Sequence, residues 1–187
     1  MSSSLDILET PLPGLKLIQR NPRGDHRGYL ERMFCTEELQ ALLHGKGIAQ
    51  INHTLTAKRG TVRGLHFQYP PHAEIKIVSC LRGEVFDVAV DLRQGSPAFL
   101  QWHAEILSAG NHMSLLLPEG FAHGFQTLTE DCELLYFHTA RYHPAAEGGL
   151  HAQDPTLDIR WPELVRELSA RDAAQPLVTQ AFVGVPV

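Results

Sequence analysis

The chain is predicted to be all-β, folded as a sandwich or a barrel, on three observations. Between Ile48 and Thr139 short stretches of alternating polar and apolar residues succeed one another, with glycine and proline turns every 8 to 12 residues or so. Helical periodicity is confined to brief stretches around Leu39 and Leu164. No linker or repeat divides the 187 residues, a length that suits one domain. The expected organisation is a single domain over residues 1–187, with core strands over about 14–142 and a C-terminal helical segment and tail over 143–187.

The first strand is expected after Gly14, ending near Arg20, before a turn at Asn21-Pro22-Arg23-Gly24. In the segment from Asp25 to Phe34, Tyr29, Glu31 and Met33 share one parity, which puts the glutamate at an edge or in a polar pocket. Thr36 reads as a helix N-cap, followed by Glu37 and Glu38 where the helix dipole favours acids. Leu39, Leu42 and Leu43 give that helix one apolar stripe, and Gly45 or Gly47 can end it.

Strands then follow over Gln50 to Thr56, Thr61 to Gln68, Ile75 to Leu81 and Glu84 to Leu92, then Phe99 to Leu107, His112 to Leu117, Phe125 to Leu128 and Glu133 to Thr139. Beyond Tyr142 come Asp154-Pro155, Trp161-Pro162, a short helical stretch with Leu164, Val165 and Leu168, and an apolar tail from Leu177. The tail is expected to cover a barrel mouth or to cross to a partner subunit.

Charge and composition narrow the function. A net charge of −5 and the lack of a lysine- or arginine-rich run argue against nucleic-acid binding. No apolar run approaches the roughly 18 residues of a membrane helix, and Met1 to Thr10 lack a basic start followed by an apolar block, so a soluble cytoplasmic protein is expected. Cys35, Cys80 and Cys132 fit neither a disulfide framework nor a zinc pattern and read as small buried side chains.

Chemistry is carried by two segments. Arg63-Gly64-Leu65-His66-Phe67-Gln68 should point His66 and Gln68 to one face and Leu65 and Phe67 to the other, and Pro118-Glu119-Gly120-Phe121-Ala122-His123-Gly124-Phe125 is built alike. One histidine on a half-buried strand is ordinary, but two suggest one pocket. The stretches from Gly60 to Gly83 and from Pro118 to Thr127 resemble the paired histidine motifs of cupin-type jelly-roll barrels.

The departures matter more. Gln68 stands where the second histidine ligand would be, and Thr127 where an asparagine would be. An amide is a poor replacement for imidazole on a transition metal. A site made of His66, His123 and Glu74 is therefore the weaker reading, and a pocket with neither metal nor cofactor the stronger.

An unliganded imidazole with a pKa near 6.5 can accept a proton. It then needs an orienting acid and a group to stabilise the charge that develops. Lys76, between Ile75 and Ile77, is either an expensive inward charge or a lysine on a solvated face. Tyr136 and Tyr142 are either proton donors or core and rim aromatics.

These segments resemble the dTDP-4-dehydrorhamnose 3,5-epimerase family, as do Lys76, Gly83 to Arg93 with Ser96-Pro97, Asp154-Pro155 and Trp161-Pro162. The likeness runs from Asp25-His26-Arg27-Gly28 to Ser169-Ala170-Arg171-Asp172. It implies a cupin-type jelly-roll β-barrel with short flanking helices, a homodimer, and a dTDP-linked 4-keto-6-deoxy sugar as substrate.

It also implies His66 as the base, Asp172 as its orienting partner, Lys76 as stabiliser of the enolate oxygen and Tyr136 as the acid on the opposite face. Arg27 and Arg63 would clamp the pyrophosphate, Glu31, Gln50 and Asn52 would contact the nucleotide, and His123 and Tyr142 would form the pocket wall. Taken alone, Asp172 is as well explained as the N3 acid of a Ser169-x-x-Asp172 capping box. Arg141 stands where family members differ and bears on substrate choice. The competing functions are a metal-dependent cupin oxygenase or isomerase and a non-catalytic sugar-nucleotide-binding protein.

Overall fold

A computed structural model describes residues 4–187. The strands are β1 (Leu5–Glu9), β2 (Lys16–Arg20), β3 (Arg23–Asp25), β4 (Gly28–Leu30), β5 (Gln50–Thr56), β6 (Val62–Gln68), β7 (Lys76–Arg82), β8 (Glu84–Asp91), β9 (Trp102–Ser108), β10 (Met113–Leu117), β11 (Phe121–Thr127), β12 (Cys132–His138) and β13 (Glu147–Gly149). The helices α1 (Thr36–Leu39) and α2 (Ala170–Ala173) are single turns.

One sheet runs β1-β2-β10-β7-β12-β5, a second runs β13-β6-β11-β8-β9, and β3-β4 forms a separate hairpin. The two large sheets do not close on each other, which corrects the expected jelly-roll barrel: each ends in edge strands that find no hydrogen-bonded neighbour in the other. The reason is that alternation of period two dictates which face of a strand is buried, and that demand is the same in a sandwich and in a barrel.

Alternation also explains the layering. In β8, Val85 and Ala89 enter the core between the sheets, along with Leu107, Leu115, Phe121, Phe125 and Leu134. The even positions Val88 and Val90, with Phe86 packed beside them, join Leu65, Phe67 and Ala122 in a second core on the outer face of the five-stranded sheet. A third core lies on the outer face of the six-stranded sheet, where Leu39 and Leu43 cover Ile77, Leu116 and Phe137. Burial of each leucine contributes about 1.5–3 kcal/mol, which accounts for a helical turn too short to hold alone.

The second core shows what the C-terminal tail does. Leu150, Leu157 and Val185 are buried in it and Val178 and Phe182 pack against it, while the Val185 N–H donates to the Leu92 carbonyl at 2.6 Å. The tail thus covers its own chain's outer sheet face.

Four local expectations change. β1 was not foreseen, and β11 begins at Phe121, so His123 lies within a strand. Only the β3–β4 hairpin is regular between Asp25 and Phe34. No helix forms at Leu164, because the Gln126 side chain donates to the Glu163 carbonyl and accepts from the Glu163 N–H, and Arg166 N donates to Gly60 O. These bonds draw the segment out along the β6 side of the sheet, where Thr61 bridges to Glu167, and leave Leu164 exposed. No helix among the described residues is long and apolar enough to cross a membrane.

The closest backbone approach near the histidines is at Gly64, where φ is +114° and an added Cβ would lie 2.6 Å from both Gly124 Cα and the His123 carbonyl oxygen. Neither obstacle is a side chain that can turn aside. Gly64→Ala is therefore expected to destabilise the fold by more than about 2 kcal/mol. Denaturant unfolding checks this, and a cost near that of an ordinary surface substitution would contradict it.

Candidate active site

Along most of their length the inner faces of the sheets are apolar, but β5 turns Gln50, Asn52 and Thr54 inward at positions that alternation reserves for the core. There the sheets part around a cavity of about 630 Å³. Polar residues at core-facing positions are stable only beside water, a ligand or a partner.

β6 and β11 set the histidines side by side, with His66 and His123 as register partners, and the register shifts immediately after His123. Arg63 and His66 both line the cavity although they are three residues apart and a regular strand would send them to opposite faces. The positive φ at Gly64 breaks the alternation between them.

The two imidazoles differ in surroundings. His66 Nε2 donates to Asp172 Oδ1 at 2.7 Å, which leaves Nδ1 with the lone pair. A quarter of the His66 side chain is exposed, against 4% for Asp172. Burial pushes the Asp172 carboxyl up, but its bonds to His66, to the Gly64 N–H and at Ser169 outweigh this and hold it below the usual carboxylate range. Ser169 accepts from the Asp172 N–H, so the capping role and the pairing with histidine coexist in one residue.

His123 Nε2 lies 3.0 Å from both oxygens of Asp87, and both side chains are buried. Burial depresses the His123 pKa, opposed by Asp87 and reinforced by Lys76 and His66.

On the facing sheet Tyr136 lines the cavity, set edge-on to His123 with ring centroids 6.1 Å apart and stacked beside His138 at 6.0 Å. Burial raises its phenol pKa. Lys76 Nζ lies 3.4 Å from Glu74 Oε1, and Glu74 Oε2 takes the His138 Nδ1 contact at 2.9 Å. Burial would raise the Glu74 pKa, yet His138 and Lys76 bring it below its ordinary value. The inward lysine is thus charge-compensated.

Arg63 lines the cavity and donates Nε to Thr56 Oγ1, and among the described residues no carboxylate pairs with it. That leaves its guanidinium edge for an anion.

Gln50, Asn52, His123 and Tyr142 also line the cavity. Arg27 and Glu31 do not. Arg27 is exposed on the β3–β4 hairpin, paired with Asp25 at 2.6 Å. Glu31 lies in a polar pocket of another kind, between Arg20 Nη1 at 3.2 Å and His112 Nδ1 at 2.8 Å, where it neutralises a fully buried arginine. Within a single chain, neither residue therefore reaches the cavity.

Sequence reasoning assigned no role to Glu147 or Arg171, both on the cavity wall. Tyr142 Oη donates to Glu147 at 2.9 Å, Arg171 pairs with Glu147 at 3.1 Å, and Arg171 Nη2 comes within 3.4 Å of His66 Nε2. The only signal was Gly148-Gly149: a Cβ at the first would strike the Phe67 ring and at the second the Gln175 side chain, so glycines let edge strand β13 bring Glu147 in.

The metal reading finds no support in the donor set. Among the described residues no three histidine, cysteine or acidic side chains converge on a point. Gln68 spends its amide on backbone, donating to His72 O and Arg141 O and accepting from His143 N, and Thr127 donates to Lys58 O.

The model of a family described as dTDP-4-dehydrorhamnose 3,5-epimerase matches residues 9–180. A Salmonella typhimurium protein described as dTDP-4-dehydrorhamnose 3,5-epimerase is 42% identical over 95% of this chain and 97% of its own. The crystal structure of dTDP-6-deoxy-D-glucose-3,5-epimerase from Legionella pneumophila, in complex with dTDP-4-keto-L-rhamnose, is 39% identical and superposes with a TM-score of 0.90 over 98% of each chain. NovW, a 4-keto-6-deoxy sugar epimerase from Streptomyces spheroides, is 35% identical with a TM-score of 0.88, over 95% of this chain and 89% of its own.

The His123 environment yields a prediction. A histidine whose pKa is depressed in the fold is neutral there and gains its proton on unfolding, so its contribution is present above the unfolded value near 6.5 and is lost as pH falls from there toward the folded value. The unfolding free energy of His123→Asn should fall less between pH 7.5 and 5.5 than that of the unsubstituted protein, by up to about 1.4 kcal/mol per pH unit. Parallel denaturant titrations with equal pH slopes would refute this.

Proposed function

The chain belongs to the dTDP-4-dehydrorhamnose 3,5-epimerase family, and from that premise we propose that it converts dTDP-4-dehydro-6-deoxy-D-glucose to dTDP-4-dehydro-L-rhamnose. Nucleotide-sugar epimerisation of this type needs no redox step. The C4 carbonyl acidifies the hydrogens on C3 and C5, removal of one gives an enolate, and reprotonation from the other face inverts the centre.

The observation that carries the residue roles is the placement of His66 and Tyr136 on opposed sheets with one cavity between them. His66, its tautomer held by Asp172, takes the proton through Nδ1. Lys76 stabilises the enolate oxygen, and its pairing with Glu74 holds it in place. Tyr136 returns a proton from the facing wall. A ring that turns between steps can present C3 and C5 in succession to the same base. Gln50, Asn52, His123 and Tyr142 line the remaining wall, and Arg63 takes the pyrophosphate.

Arg27 serves that anion only if a second copy supplies it. A homodimer accommodates this, since the hairpin that carries Arg27 exposes Tyr29 and Leu30, and the outer face of β5 exposes Ile51 and Leu55. A cytoplasmic setting agrees with three unpaired cysteines.

Two experiments test these roles. In heavy water the protein is expected to introduce deuterium at C3 and C5 of the 4-keto sugar nucleotide, and His66→Ala to abolish it. Exchange at one carbon only would restrict the activity to a single centre, and exchange at neither would sink the proposal. If Arg27 acts across a dimer, mixing inactive Arg27→Ala and His66→Ala proteins and allowing subunits to exchange should restore about a quarter of the activity, because mixed dimers keep one intact site. No recovery after confirmed exchange would rule out a site completed across the dimer by Arg27.

A further inference from the structure

Among the described residues, the buried side-chain nitrogen or oxygen atom left without a hydrogen-bond partner is Thr54 Oγ1. An unpaired hydroxyl is costly to bury, and this one lies on the cavity wall. Register shows what stands beside it. β5 pairs with β12 so that Thr54 faces Leu134 and Asn52 faces Tyr136, which makes Thr54 and Tyr136 diagonal neighbours on one inner face.

We propose that Thr54 is a positioning residue for the proton donor: its hydroxyl donates a hydrogen bond to the Tyr136 oxygen as that oxygen becomes anionic. The proposal rests on the reading of Tyr136 as the acid. When the enolate is quenched, its electron pair takes the Tyr136 proton to form the C–H bond, the C4 carbonyl is restored, and a phenolate remains until solvent reprotonates it. Burial opposes that phenolate.

The groups around the phenol are His123 and His138 by ring contact and Arg63 and Asp87 by charge. Arg63 favours the anion, whereas Asp87 disfavours it. No hydrogen bond joins Thr54 to the neutral phenol, and from its diagonal position the hydroxyl favours the ionised form against the effect of burial. An interaction that strengthens only as charge develops is the kind that accelerates a step.

The test measures inversion and solvent exchange together, using dTDP-4-dehydro-6-deoxy-D-glucose in heavy water with Thr54→Val, Thr54→Ser, Tyr136→Phe and the Thr54→Val/Tyr136→Phe pair. Thr54→Val should slow inversion about tenfold or more, the scale of one hydrogen bond to a charged group, while His66-dependent exchange persists and so reports an intact fold. Thr54→Ser should restore inversion, and the double variant should invert no more slowly than Tyr136→Phe alone.

Inversion by Thr54→Val at the unsubstituted rate, loss of exchange along with inversion, or an equal further loss in the Tyr136→Phe background would each overturn the proposal. Normal inversion by Tyr136→Phe would instead remove the premise, and the two failures are told apart by that variant alone.

Discussion

Everything at this site depends on how closely two strands can run. The histidines are register partners on β6 and β11, and immediately beside them the backbones meet at Gly64 and Gly124 with no room for a side chain on either. That contact fixes the relative height of the two imidazoles. Because glycine 64 adopts a positive φ, it also interrupts the alternation of β6 and lets Arg63 share a cavity with His66. The position of Arg63 relative to His66 is thus set by main chain, which holds distances better than a flexible side chain would.

Given that frame, environment divides the labour between two residues of one type. Each imidazole is paired to a carboxylate, but His66 is partly open to the cavity whereas His123 and Asp87 are sealed. Only the first is open enough to exchange a proton with the contents of the cavity. The sealed pair fixes a wall against which Tyr136 is set edge-on. A similar division runs through the carboxylates: Asp172 pairs with His66, Glu74 compensates a lysine, and Glu147 ties Tyr142 to Arg171. Every charge in the cavity except Arg63 is answered by a neighbour, so an anionic ligand meets one guanidinium without a competing carboxylate.

The sequence made the strands legible because both faces of the central ones are buried in a regular rhythm, as the odd and even positions of Val85 to Asp91 show by entering different cores. It made the cavity partly legible through the paired histidine segments, while Lys76, Tyr136, Gln50 and Asn52 came to it only through the family resemblance. Closure was not legible, since period two says nothing about whether edge strands meet. The helix expected at Leu164 failed because long-range bonds from Gln126 and Gly60, invisible to any local window, claimed its backbone. Glu147 and Arg171 escaped notice for a related reason: they reach the cavity from an edge strand and a one-turn helix, neither of which leaves a periodic trace. The placement of Arg27 and Glu31 outside it follows from a hairpin turned to solvent and from a buried Arg20 that needs an acid.

Gln68 shows why the cavity's chemistry falls to side-chain acids and bases. It points inward from β6 like His66, two residues away, at the place where a ligand imidazole would complete a metal site. Its amide instead joins the loop at His72 to the loop of Arg141 and His143, using both kinds of atom, and so holds the rim that carries Tyr142. A second bond comes from Gln50, whose oxygen accepts from the Tyr142 N–H. An amide committed to three backbone groups has no geometry left to offer a cation, whereas an imidazole there could not have donated to two carbonyls while accepting from an amide. One substitution of residue type therefore does two things at once: it removes a ligand and it stitches the rim. His66 is left with a carboxylate on one nitrogen and a lone pair on the other, the state in which an imidazole can act as a base.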